Sequence, residues 1–149
     1  MRHVAKIAKY NAAFFGCVET AFKIMKEKHG RRAALGFLTE LMKRNLSKAY
    51  AAMGARRHGG PAEYKRVVGA RDAAVGLKVS FKDIPTGFVY RFHTDPFPNL
   101  RGVVKPEELD ATYMVFKRGY LLGPKWNYRT TKHIWRGDKF TEHVFEKSG

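Results

Sequence analysis

Two runs of β-branched and aromatic residues flank Gly137-Asp138 in W-N-Y-R-T-T-K-H-I-W-R-G-D-K-F-T-E-H-V-F-E, residues 126 to 146. A Gly-first pair between strand-like runs is a tight hairpin signal, which commits this part of the chain to antiparallel β structure. With the turn centred on Gly137-Asp138, Trp135 falls opposite Phe140, His133 opposite Glu142 and Arg129 opposite Glu146. Cross-strand pairs of these kinds contribute roughly 0.2–1 kcal/mol each, so three agreeing pairs favour this register over a slip of one residue. The expected opposite face carries Tyr128, Thr130, Lys132, Ile134, Thr141, His143 and Phe145, a mixture of apolar bodies and polar tips that suits either a ligand floor or a core face.

Upstream, the apolar period is helical. Val4, Ile7, Phe14, Phe15, Val18, Phe22 and Met25 recur at three- and four-residue intervals and predict one helix from Val4 to about Met25, stopped by His29-Gly30. Cys17 lies beside that stripe and reads as a small buried hydrophobe. A second helix is expected from about Arg32 to Ala55, and a third from Ala62 to about Ala74 with Pro61 in its first turn.

Near Gly76 the period drops to two. Leu77, Val79 and Phe81, then Phe88, Tyr90 and Phe92, predict a second hairpin joined by Asp83 to Gly87. Its second strand runs into His93-Thr94-Asp95-Pro96-Phe97-Pro98-Asn99, where two prolines enforce a stiff loop. Pro106-Glu107-Glu108 opens a fourth helix with Leu109, Tyr113, Phe116 and Tyr120 on its apolar side. Together these elements predict one α+β domain over residues 1–149: N-terminal helices packed on an antiparallel sheet of two hairpins separated by a helix.

Composition narrows the partners. Lys and Arg number 29 against 13 Asp and Glu, a net charge of +16, and the first 75 residues hold 16 basic but only 5 acidic side chains. That field favours small anionic ligands or nucleic acid, and it is densest on the helical half. One cysteine excludes an intramolecular disulfide framework, and no apolar run approaches the roughly 20 residues that span a bilayer, so a cytoplasmic protein without a membrane partner is expected. A homodimer is expected if a helix leaves an apolar face exposed. Phosphate-binding and dinucleotide-binding glycine motifs, G-x-S-x-G and H-E-x-x-H are all lacking, and no cofactor is implied.

The chemistry-bearing residues are therefore diffuse. His93 and Asp95 share a rigid loop and, with His143, offer a general base for a hydrolytic site; His133 and His143 are expected on opposite sheet faces, which argues against a shared metal. Arg91, Arg129, Tyr128 and Trp126 offer a basic aromatic surface for single-stranded nucleic acid.

A helix leading into Thr130-Thr131, then Ile134-x-Arg136-Gly137-Asp138, then alternating Thr141, His143 and Phe145, resembles the L-2-amino-thiazoline-4-carboxylic acid hydrolase family, itself similar to four-vinyl-reductase-type ligand-binding domains. The resemblance implies a pocket between helices and sheet for a small carboxylate-bearing or apolar molecule. Arg91 or Arg129 would hold the carboxylate and His93 or His143 would activate water, with Tyr128, Lys132 and Thr141 lining the site. Members often carry cysteine just after the Gly-Asp turn, where this chain has Thr141, so a thiol role there is lost. The function expected is binding or hydrolysis of a small anionic compound, the alternatives being a non-enzymatic ligand-sensing or interaction domain and a charge-driven nucleic-acid-binding protein.

Overall fold

The computed structural model describes residues 8–148. Helix α1 (Ala12–His29) starts later than the apolar period predicts, because the Asn11 side chain accepts the Phe14 N–H at 3.0 Å and caps the helix there; Val4 and Ile7 lie outside the described residues. Gly30, at φ 88°, turns the chain into α2 (Arg31–Ala52), and the two helices pack on each other. Helix α3 (Pro61–Ala74) begins on its proline as expected. Phe15, Val18, Phe22, Ala34, Leu38, Tyr50, Tyr64, Val67 and Val68 join one core. Cys17, expected to be buried, is exposed, since the stripe of Phe15, Val18 and Phe22 turns it outward.

Strands β1 (Val79–Ile84) and β2 (Gly87–Phe92) form a hairpin that is tighter than expected: Ile84 pairs with Gly87, so only Pro85 and Thr86 make the turn. Helix α4 (Pro106–Leu121) follows, its Glu108 carboxylate accepting the Lys105 N–H at 3.2 Å. Strands β3 (Trp126–Lys132) and β4 (Thr141–Lys147) complete an antiparallel sheet of order β1-β2-β4-β3. The fold is thus α+β, with two hairpins and α4 between them. Phe88, Tyr90, Phe92, His143 and Phe145 face the helices, whereas Arg91 and Glu142 pair at 2.6 Å on the outer face. Among the described residues no helix is long and apolar enough to cross a membrane.

The second hairpin departs most from expectation. Arg129 sits opposite Val144 and Asn127 opposite Glu146, a shift of two residues, which preserves the inward face of Tyr128, Thr130, His143 and Phe145. A bulge between Thr130 and Lys132 then breaks the alternation, so Lys132 pairs with Glu142 and turns outward rather than inward. Beyond it there is no two-residue turn at Gly137-Asp138 but a 3-10 turn, Ile134–Arg136, ended by Gly137 at φ 93°. The cause is competition from side chains for backbone N–H groups. Asp138 Oδ2 takes the His133 N–H at 2.8 Å, His133 Nδ1 takes that of Trp135 at 3.0 Å, and Thr141 Oγ1 takes that of Ile134 at 3.1 Å. His133 and Trp135 consequently leave the ladder and turn into the core, so both His133 and His143 lie on its side of the sheet. The Arg129–Glu146 pair survives diagonally at 3.3 Å.

Candidate functional site

The helices and the inner sheet face enclose more polar groups than packing alone requires. Asp72 comes from the last turn of α3, one turn after Val68, and Lys117 from α4, one turn after Tyr113; these spacings place both on buried faces. Lys117 is 4% exposed and is the one buried Lys or Arg among the described residues. Its ammonium lies 5.1 Å from the Tyr113 ring centre and 5.5 Å from those of Tyr90 and Phe92. Asp72 Oδ1 stands 3.9 Å from Nζ, beyond hydrogen-bond reach, while Oδ2 accepts the Tyr90 hydroxyl. Burial pushes the Lys117 amine below its usual value, partly countered by Asp72, and pushes the Asp72 carboxyl above its usual value, partly countered by Lys117.

These two groups line a slot of about 40 Å³ whose lining is otherwise mostly apolar, including Phe14, Phe15, Met42, Leu46, Val75 and Phe97. Arg71 and Asn45 also line it, and Arg71 lies over the Phe14 ring at 5.9 Å.

A second buried network adjoins it. His133 Nε2 is 3.2 Å from Asp110 Oδ2 and 3.3 Å from Oδ1, and Tyr113 donates to Oδ1 at 3.1 Å. Trp135 Nε1 donates to Asp95 Oδ2 at 2.7 Å, and Asp95 Oδ1 accepts the Phe97 N–H. Burial raises the Asp95 carboxyl. Between them Asp95, Asp110, His133, Trp135 and Thr141 border a pocket of only about 10 Å³, roughly the room one water needs. His133 has no lone pair to spare there: Nδ1 accepts from Trp135, and Nε2 faces Asp110 as a donor.

The residues expected to form one site fall in three places. Asp95 and Thr141 meet at the small pocket. His143 and Tyr128 are packed together, their rings 5.9 Å apart, with Phe92 at 5.9 Å and Tyr90 at 6.2 Å from the imidazole, and they line neither pocket. His93, Arg91 and Lys132 gather round Phe140 on the outer face, where His93 Nε2 meets Ser80 Oγ at 2.7 Å; Arg129 is outward as well. The expected carboxylate-binding arginines and the expected inner base therefore stand on opposite sides of the sheet.

His143 remains chemically distinctive. It is fully buried, Nδ1 is 3.0 Å from Thr130 Oγ1, and Nε2 has no partner. Burial lowers its pKa to about 4, which keeps the ring neutral at neutral pH. Lys117 and Asp72 were missed by the sequence reading, although their spacing from Tyr113 and Val68 put them on apolar stripes. Among the described residues no three His, Cys, Asp or Glu side chains converge to hold a metal. Compared with protein-family models and with curated proteins, the sequence gives no match.

Proposed function

We propose that the chain binds a small anionic compound in the slot above Lys117 and Asp72. Arg71 holds the anionic end, the apolar walls hold the body, and the inserted part is small, on the order of three water-sized groups given about 40 Å³. The observation that carries this reading is the buried ammonium. Taking a lysine out of water costs several kcal/mol unless it is well paired, and at 3.9 Å Asp72 compensates only in part. Methionine would fill the same volume without that cost, so the charge has a use beyond packing.

Binding is favoured over hydrolysis. His93 and His143 do not border the slot, and Thr141 has its hydroxyl oxygen occupied by the Ile134 N–H. Thermal melting with 2-amino-thiazoline-4-carboxylate and with benzoate tests the reading. A ligand at 100 times its Kd adds about 2.7 kcal/mol to the stability of the native protein, and Lys117→Met and Arg71→Ala shrink that gain. Equal gains in Lys117→Met, or none in the native protein across both compounds, refute it.

A second reading has its own observation. Arg31, Arg101, Lys105 and Arg136 border an open cleft of about 460 Å³, with Glu108 as its acid. Arg31 pairs with Glu108 and Arg136 with Glu107, and the excess of cations that remains on this concave surface suits a polyanion such as nucleic acid, for which affinity must fall steeply as salt rises; retention on an anionic polymer that is insensitive to salt excludes it.

A further inference from the structure

We propose that Lys117 is an imine-forming amine: its Nζ adds to the carbonyl carbon of a small aldehyde or oxo acid in the slot, and Asp72 Oδ1 moves the protons. The inference rests on the slot being a ligand site and names the ligand class and the chemistry.

Geometry is the first support. A buried pair serving only the fold closes to hydrogen-bonding distance, whereas this one stays at 3.9 Å beside open space that both partners border. The Tyr90 hydroxyl fixes the carboxylate through Oδ2 and leaves Oδ1 turned toward the amine. Three rings around Nζ, those of Tyr90, Phe92 and Tyr113, suit a cationic iminium as well as an ammonium. The charged and titratable groups around the amine are Asp72 and Arg71 of α3, Asp110 of α4 and His143 of β4, with the Tyr90 and Tyr113 rings against it. Burial lowers the Lys117 amine and raises the Asp72 carboxyl from their usual values, and both shifts ease passage of the ammonium proton to Asp72, which frees the amine for addition.

The steps balance. The amine lone pair forms the N–C bond as the carbonyl π pair moves to oxygen. Asp72 gives that oxygen its proton and takes one from the new N–H₂ centre, leaving a neutral carbinolamine and a carboxylic acid. The acid then protonates the hydroxyl, water departs, and the nitrogen lone pair closes the C=N bond. Amine, carbonyl and carboxylic acid have become iminium, carboxylate and one water, with no oxidant or reductant needed.

Glyoxylate with borohydride is the direct probe, since reduction converts the imine into a stable secondary amine detected by peptide mass mapping. Near neutral pH Lys117 is expected to be labelled about ten-fold or more faster than exposed lysines such as Lys43, and Asp72→Asn to slow that labelling about ten-fold. Labelling of Lys117 no faster than Lys43 overturns the proposal, as does an unchanged rate in Asp72→Asn. Glycolate, the alcohol counterpart, separates this inference from the binding reading. If glycolate and glyoxylate both raise the melting temperature but no Lys117 adduct is trapped, the slot binds anions and the imine chemistry is wrong; if neither does and no adduct forms, both fail. Should Asp72→Asn not fold, the ratio of Lys117 to Lys43 labelling in the native protein decides alone.

Discussion

Replacing His143 by asparagine makes the cost of its burial measurable. The imidazole is held neutral, with a pKa of about 4 against 6.5 for an ordinary histidine, because no water reaches it and Nε2 has no acceptor to stabilise a proton. Below 6.5 the unfolded chain binds a proton that the folded chain refuses, so this contribution to stability is complete above 6.5 and is lost as pH falls toward 4. Linkage puts the loss at about 2 kcal/mol between neutral pH and about pH 5, reaching about 3 kcal/mol near pH 4. Other groups titrate in the same window with either sign. Asp72, its carboxyl raised, gains stability on acidification, while Glu63, Glu142 and Glu146, lowered by their partners, lose it. The quantity to follow is therefore the difference between native protein and His143→Asn. Asparagine can still reach Thr130, and its packing defect is an offset that does not change with pH. Urea unfolding at a series of pH values should show the two stabilities converging by about 2 kcal/mol from neutral pH to about pH 5. Parallel curves over that range would show that His143 is protonated in the fold or already open to water, and would refute the argument.

Two further substitutions test the buried polar groups and the sheet. The Tyr64 hydroxyl is buried without a partner, whereas the Tyr90 hydroxyl donates to Asp72. Tyr64→Phe is accordingly expected to be neutral or stabilising by up to about 1 kcal/mol, and Tyr90→Phe destabilising by about 1–3 kcal/mol, in urea unfolding; the opposite order would overturn the assignment. A Cβ on Gly87 would overlap the Phe145 carbonyl oxygen across the ladder and press on Trp126, so Gly87→Ala should cost about 1–3 kcal/mol by forcing β2 and β4 apart. Unchanged stability would mean that the strands separate freely at that edge.

The elements that followed from sequence are those whose signals are local. Pro61 and Pro106 mark the starts of α3 and α4, Gly30 separates α1 from α2, and the alternation of Phe88, Tyr90 and Phe92 picks out β2 and its inward face. Asn11 shows where a local signal was outweighed: the apolar period runs back to Val4, but the start of α1 is set by one side-chain acceptor. The end of the second hairpin was illegible for a different reason. Whether Gly137 sits in a two-residue turn or closes a 3-10 turn depends on Thr141, His133 and Asp138 taking backbone N–H groups, and on Asp110 of α4 receiving His133. Those contacts exist only once the helix packs on the sheet. The expected grouping of Arg91, Arg129, Lys132 and His93 with His143 did not appear for two reasons: one bulge, seen only in the folded sheet, sends Lys132 outward, whereas the strand parity that separates Arg129 from His143 was already legible in the alternation. Lys117 was visible as a cation four residues beyond Tyr113, yet nothing in the sequence alone says that Asp72 of α3 would meet it.

The sheet order β1-β2-β4-β3 also sets a schedule for folding. Strand β4 lies between β2 and β3, and Phe92 finds its partner in Thr141, on the order of 50 residues later. During synthesis the first hairpin therefore emerges with one edge of β2 unpaired, with Phe88 lacking Phe145 and with Phe92 lacking Tyr113 and His143, although Tyr64 of α3 can already cover Phe88 and Tyr90. An exposed apolar edge of that kind templates association with other chains. The contact that removes it is non-local, which makes closure of the sheet slow relative to helix formation. A nascent chain that stalls before Thr141 is thus the species most exposed to aggregation, and the strong positive charge of the helical half keeps such chains apart until the last strand arrives.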